Sequence, residues 1–456
     1  MKEYTEEEVK EILDKIEAKD ENVVKEVIQD LHPADIAELL QLPQVDMELA
    51  IYVFNLLDDE TAAETLMELD EDKRHALLEN IPNKDIAKTF IENLDTDDAV
   101  DLIQELDKED QEEVLSHVGD VEQAGDIIDL MKYDDDTAGG LMGKEMIVVN
   151  ENWSMPECVK RMREQAEDMD EIFYVYVVDD DYKLKGILPL KGLITHPSVS
   201  KIKHIMETDP ISVKADEPID EVVIAFEKYN LAVMPVVDSI GRLVGRITFD
   251  DVMDEAREQT ERDYQMASGL SKDIETRDTV IDQTKARLPW LLIGMIGGLS
   301  NSLILGNFEA SFISNPSMAL FIPLIGGTGG NVGIQSSAIV VQGLANGSLD
   351  LKHAVSQICK EIGVAMINAC IISLLVFAYN FFFFKPDMQT TVSVSVSLFA
   401  VVMFAAIFGT FVPLMLERLK IDPAIATGPF ITITNDIIGM MIYMLVGSAF
   451  MQLTVG

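Results

Sequence analysis

The spacing of apolar and polar positions changes character twice along the chain. Up to about residue 130, apolar anchors at Leu57, Leu69, Ile81, Leu94, Leu106 and Val118 recur about every twelve residues. Each opens a short amphipathic stretch, which predicts a run of short helices. Asp and Thr residues directly after the anchors are ordinary helix N-cap candidates. Helices this short bury a core only by stacking, so residues 1–130 predict an all-α superhelical domain.

From Asp134 the period shortens to two. One unit, residues 131–200, reads as a strand at Glu145 to Val149, a helix over Met155 to Gln165, then strands at Phe173 to Asp179 and Leu184 to Leu190. A second, residues 201–255, repeats that order with Pro210 to Val213, Ile219 to Tyr229, Ala232 to Asp238 and Leu243 to Thr248. The duplicated α/β pattern resembles a tandem pair of cystathionine-β-synthase (CBS) domains, a regulatory module that often binds adenine nucleotides. Gly245, Thr248 and Asp251 stand at the spacing that family uses to hold a ribose. The resemblance thus implies one nucleotide site, for ATP, at Thr248 and Asp251. An ordinary helix cap is the plainer role for Thr248. The first unit has Gly186-Ile-Leu-Pro-Leu-Lys-Gly instead, without the hydroxyl or the acid.

A charged connector helix is expected over 256–287. Beyond it, apolar runs predict five membrane-spanning helices over 288–456: Leu288 to Asn307, Pro316 to Gly343, Gln357 to Phe384, Thr391 to Leu416 and Ala424 to Leu453. Lys285 and Arg287, the loop with Lys352, and the loop with Arg418 and Lys420 place those ends in the cytoplasm; only Lys385 falls outside. The N-terminus is therefore expected inside and the C-terminus outside. The glycines between Gly326 and Gly333 serve close helix packing, or expose carbonyls to a water-filled path. In the fifth span, Gly428, Thr432 and Asp436 are four residues apart and are expected on one pore-lining face.

Charge sharpens this division. The chain has a net charge of −45, with 30 basic and 73 acidic residues before Leu288 and 5 against 7 from there on. Such a field repels nucleic acid and anionic headgroups and concentrates cations; for most single acids an acidic solubility surface is explanation enough. It does not explain Asp436, the only charged side chain between Ala424 and Gly456. A carboxylate at membrane depth requires water, a cation or a partner. Cys158, Cys359 and Cys370 form no CxxC pair, so neither a disulfide nor a zinc site is expected. No cleavable leader is read at the acidic N-terminus, and no nucleophile–base set points to an enzyme.

The order of these regions, with Tyr133-Asp-Asp-Asp-Thr-Ala-Gly-Gly-Leu-Met142, Arg287-Leu-Pro-Trp290, Pro323 to Gln335 and Pro429 to Asp436, resembles the MgtE family of magnesium channels and transporters. The resemblance covers essentially the whole chain. It implies a homodimer in the lipid bilayer, with an ion path lined by the second and fifth spans and Asp436 of each protomer at its centre. Mg2+ would be both substrate and regulator, closing the pore when it binds the cytosolic acids. The sensor role falls first on Asp251, Asp254 and Asp263, with Asp422 on the membrane side. Asp95, Asp97, Asp98, Asp216, Asp220, Glu255 and Glu258 are further ligand candidates. Asn230, Gln259 and Arg262 depart from the acid-rich pattern. Two other readings stay open: a proton- or sodium-coupled secondary transporter, and a non-conducting membrane-anchored metal or nucleotide sensor.

Overall fold

A computed structural model describes residues 12–455 except 17, 30, 43, 167, 168, 170, 171, 273, 275–278, 346, 347, 350–353, 385 and 427. Lys352 and Lys385, used above to orient the chain, lie outside the described residues. The chain divides into two compact units, Met1–Asp254 and Glu255–Gly456.

The first unit begins with a stack of short helices: α1 (Glu21–Ile28), α2 (Pro33–Leu40), α3 (Met47–Phe54), α4 (Asp59–Met67), α5 (Glu71–Leu78), α6 (Thr96–Gln104), α7 (Lys108–His117) and α8 (Val121–Leu130). Between α5 and α6 the chain passes through a π-helical segment, Ile86–Phe90, and a 3-10 turn, Ile91–Asn93. The anchors Leu69, Leu94 and Val118 are buried, and Leu57, Ile81 and Leu106 pack on the same core. Asp58 and Asp120 accept first-turn amides as caps, satisfying donors the helix leaves open. Asp70, Asp95 and Asp107 stand at the cap position without making that bond.

Two sheets follow. In the first, β1 (Ile147–Asn150) runs parallel to β2 (Tyr174–Val178), with helix α9 (Met155–Gln165) as crossover. Antiparallel β3 (Leu184–Pro189), helix α10 (Leu190–Thr195) and the short β4 (Glu207–Thr208) complete it. The second repeats the plan with β5 (Val213–Lys214), α11 (Ile219–Tyr229), β6 (Val233–Val237) and β7 (Leu243–Thr248). The duplication reaches the hairpin detail. Asp179 accepts from the amide of Lys183, and Asp238 from that of Arg242. A register irregularity recurs at Val177/Val178 and Val236/Val237. The two hairpin tips also bond to each other, Leu184 N–H to Gly241 O and Leu243 N–H to Tyr182 O.

The core of the helical stack is continuous with that of the second sheet, through Ala138, Met142, Val213, Phe226 and Ile247. The segment Tyr133 to Met142 makes this join: Ala138 and Gly139 donate their amides to Glu217 O and Ala215 O. The first sheet keeps its own core around Ile147, Cys158, Val175 and Leu188.

Helix α12 (Phe249–Ala267) leaves β7 directly. The expected connector helix over 256–287 is not continuous. Helix α12 ends at Ala267, just before Gly269 with its positive φ of 83°, and a new helix starts after the Thr279 cap. The helix that carries the first expected span therefore starts at Val280, ahead of the apolar run.

Five helices among the described residues are long and apolar enough to cross a membrane. They are α13 (Val280–Asn307), α14 (Ile322–Ala345, after a 3-10 turn over Pro316–Phe321), α15 (Ala354–Tyr379), α16 (Met388–Arg418) and α17 (Gly428–Val455). Helix α16 is the central one, with a buried stripe from Thr390 to Leu414. The glycine-rich segment is regular helix rather than opened backbone, and at Gly333 the missing side chain serves close packing. Gly333 lies directly against Asn435 of α17 and the Gly409 backbone against Gly333. Glu361, an acid inside the third span, is buried and accepts from the Ser336 hydroxyl at 2.6 Å.

Candidate functional site: a carboxylate-lined cavity and an acidic cluster

Within the membrane unit, α14 and α17 line an open cavity of about 330 Å3 with a contribution from α13. Thr432, Asp436 and Met440 line it at one-turn intervals along α17, facing Pro323, Gly326, Gly327, Gly330 and Ile334 of α14. A Cβ on Gly326 would lie 3.4 Å from Asp436 Oδ1, and one on Gly330 would lie 3.3 Å from the Thr432 methyl. The absent side chains therefore leave the space in front of the carboxylate open. Among the described residues, none that lines it is basic. A buried carboxylate without a countercharge is costly. The arrangement suits a mobile cation that brings its own water.

Two of the three expected face residues, Thr432 and Asp436, line this cavity. Gly428 does not. It opens α17 in the left-handed region, φ 47°, with its α-carbon against the Ala267 carbonyl at the end of α12. Its lack of a side chain serves that contact, one turn short of the cavity.

The second site lies in the first unit. Asp95, Asp97 and Glu145 have carboxylate oxygens within 4.8 Å of one another. Its geometry follows from an unusual cap. Glu145, just before β1, accepts the Thr96 amide at 2.9 Å and its hydroxyl at 3.2 Å, capping α6 from another segment. The Thr96 hydroxyl oxygen in turn accepts the Lys144 amide at 2.9 Å. Asp95, released from capping, meets Arg246 of β7 at 3.2 Å. Asp251, in the first turn of α12, accepts from both the amide and the hydroxyl of Thr248. Burial, and then the charge of Asp251, pushes the Asp98 carboxyl up to about 7. The same causes raise Asp97 well above the usual carboxylate range, and burial raises Asp251. One guanidinium serves a group of carboxylates that destabilise one another, and a divalent cation fits that deficit by charge and by hard oxygen ligands.

The remaining predicted ligands are dispersed. Asp216 is exposed between β5 and α11, and Asp220 is exposed in the first turn of α11. Asp254 is exposed and Asp263 half-buried along α12. Glu255 and Glu258 both pair with Arg262, at 2.6 and 3.3 Å. Asp422 is exposed and accepts the Ala424 amide at 2.7 Å. For the expected nucleotide site, Thr248 is buried and bonded to Asp251, whose charge is felt by Asp97 and Asp98. A polyphosphate would meet repulsion there. The sequence alone does not single out Glu145, which reads there as the start of a strand. Its position just after the Tyr133 to Met142 motif was the available signal.

A multi-pass helical protein with an uncompensated carboxylate facing a cavity between its spans belongs to the class of membrane cation-transport proteins. Residues 322–446 match the divalent cation transporter family MgtE, residues 31–136 its intracellular N domain, and residues 138–198 and 202–258 CBS domains. The chain is 30% identical to the magnesium transporter MgtE of Thermus thermophilus over 440 residues, covering 95% of this chain and 96% of that one. It is 31% identical to the Bacillus subtilis magnesium transporter MgtE over 71% of each chain. The cytosolic domain of an Mg2+ channel MgtE solved in complex with ATP superposes with a TM-score of 0.51 at 31% identity, over 54% of this chain and 99% of that one. The chain belongs to the MgtE family.

Proposed function

We propose that this protein carries Mg2+ into the cytoplasm through a passage whose central group is Asp436. The observation that carries the reading is the carboxylate facing an open cavity with no basic residue in its lining. Magnesium gives up its water reluctantly, and the space left by Gly326 and Gly330 suits an ion that keeps part of its shell. A single carboxylate supplies one negative charge. The corresponding Asp436 of a second copy in a homodimer supplies the other. Lys285, Arg287, Arg418 and Lys420 assign the N-terminal side to the cytoplasm and leave the C-terminus outside.

Cytosolic Mg2+ closes the passage by binding the acids of the first unit. The cluster of Asp95, Asp97, Asp98, Glu145 and Asp251 is its principal site, since these groups already lie together. Glu255 and Glu258 are less available because Arg262 already neutralises them in part. An adenine nucleotide is a further ligand of the CBS pair, supported by the solved relative with ATP. Thr248 and Asp251 do not hold it alone, and a shift in melting temperature of the full chain with ATP tests its binding.

The deciding experiment is Mg2+ uptake into proteoliposomes. The intact protein is expected to follow membrane voltage, and Asp436→Ala to abolish uptake with assembly intact. Uptake by Asp436→Ala at the unaltered rate would refute the assignment. Uptake that follows a proton or sodium gradient would replace the channel by a coupled carrier.

A further inference from the structure

The acidic cluster of the first unit has a cation of its own. The Arg246 side chain is 12% exposed, and its Nη2 lies 3.2 Å from Asp95 Oδ2. Its Nε donates to the Glu145 carbonyl oxygen. The Arg246 backbone exchanges two hydrogen bonds with Gly143, Gly143 N–H to Arg246 O at 2.8 Å and Arg246 N–H to Gly143 O at 2.9 Å. Gly143 is also where the acids meet, since a Cβ there would lie 2.8 Å from both Asp97 Oδ2 and Glu145 Oε2. Strand β7 thus fixes the guanidinium beside the carboxylates. Burial raises the Asp251 carboxyl, and the charge of Arg246 is among the influences that oppose this rise. Lys144, next to Glu145 in the chain, turns its ammonium to Asp126 at 4.0 Å instead.

Two demands conflict at this place. Without an ion, Asp95, Asp97 and Glu145 need a countercharge to stay together. With a doubly charged ion among them, the guanidinium on Asp95 is in excess, and like charges in a partly buried site repel strongly. We propose that Arg246 is a built-in competitor of the regulatory cation: it holds the acids together when the ion is absent and sets the concentration at which the ion displaces it from Asp95. The inference rests on the reading of this cluster as the regulatory Mg2+ site.

The test titrates Mg2+ on the full-length protein with two readouts, melting temperature in detergent and inhibition from the cytosolic side in patch recordings. Arg246→Gln keeps a donor and removes the charge. It is expected to lower the melting temperature in chelator. It should also lower the Mg2+ concentrations for half-stabilisation and half-inhibition about tenfold. Arg246→Lys restores the charge and is expected to bring both concentrations back to within about twofold of the unaltered protein. A purely structural role gives the opposite sign, because both substitutions would loosen the frame around Gly143 and Glu145 and so demand more Mg2+. Half-saturating concentrations that rise or do not move in Arg246→Gln would overturn the proposal. Should that variant fail to assemble, Arg246→Lys decides: a weakened Mg2+ response in it has the same force, and a retained one upholds the role of the charge. Asp97→Asn with Asp251→Asn is measured alongside. If that pair leaves the Mg2+ response unaltered, the reading of the cluster itself fails; if it weakens the response while Arg246→Gln has no effect, only the competition by Arg246 falls.

Discussion

Single residues here are defined by what their neighbours fail to neutralise. Asp436 faces a cavity without a basic group, and Asp98 faces other acids. Asp98 titrates in the folded protein at about 7, above its ordinary value of 3.8. The folded state therefore binds the proton more tightly than the unfolded chain, and protonation favours folding. That contribution is complete below the unfolded pKa and is lost as pH rises to about 7 and beyond. Asp98→Asn removes the ionisation. In metal-free buffer it is expected to raise the melting temperature at pH 8 by several degrees, with little difference at pH 4. Equal shifts at both pH values, read by calorimetry, would contradict the electrostatic cause. The importance of Asp436 was legible in the sequence, because one charge in a long apolar run stands out. The state of Asp98 was not, since burial and the approach of Asp251 arise only when α6 meets the start of α12.

At the scale of elements, helix ends do much of the positioning. Helix α6 takes its cap from Glu145 rather than from its own Asp95, which frees Asp95 for Arg246. The end of α12 meets the start of α17, where Gly269 lies against Pro429 and Gly428 against the Ala267 carbonyl. Gly428 has φ 47°, a region that costs an L-residue roughly 1–2 kcal/mol. Gly428→Ala adds a Cβ against that carbonyl and is expected to lower thermal stability. It should also alter opening while leaving the preference for Mg2+ over Ca2+ intact, because Gly428 does not line the cavity. A changed ion preference in bilayer recordings would place Gly428 in the passage after all. The repeat of short helices, the duplicated α/β units and the five spans were readable from periodicity. The break at Gly269 was not: the polar pattern of the connector continues through it, and the break is a matter of backbone conformation.

For the molecule as a whole, the uneven charge distribution links the proposed passage to its proposed regulation. Acids before Leu288 outnumber bases by 73 to 30, and those from Leu288 onward by only 7 to 5. Facing carboxylates repel over a Debye length of about 8 Å, so the acids that meet are those whose neutralisation matters. Asp97→Asn with Asp251→Asn is expected to weaken inhibition by cytosolic Mg2+, raising the half-inhibiting concentration at least tenfold in patch recordings. Unaltered inhibition would remove this cluster from the gating scheme. By itself the sequence determined the order of the regions, most of their secondary structure, the membrane character of the second half and the isolation of Asp436. Period and hydropathy are properties of neighbours along one segment. Only the tertiary structure decided that Glu145 joins Asp95 and Asp97, that Arg246 meets Asp95 and that Gly428 does not line the Asp436 cavity. Those outcomes depend on how far one element slides and turns against another, and nothing in the spacing along a single helix records that offset.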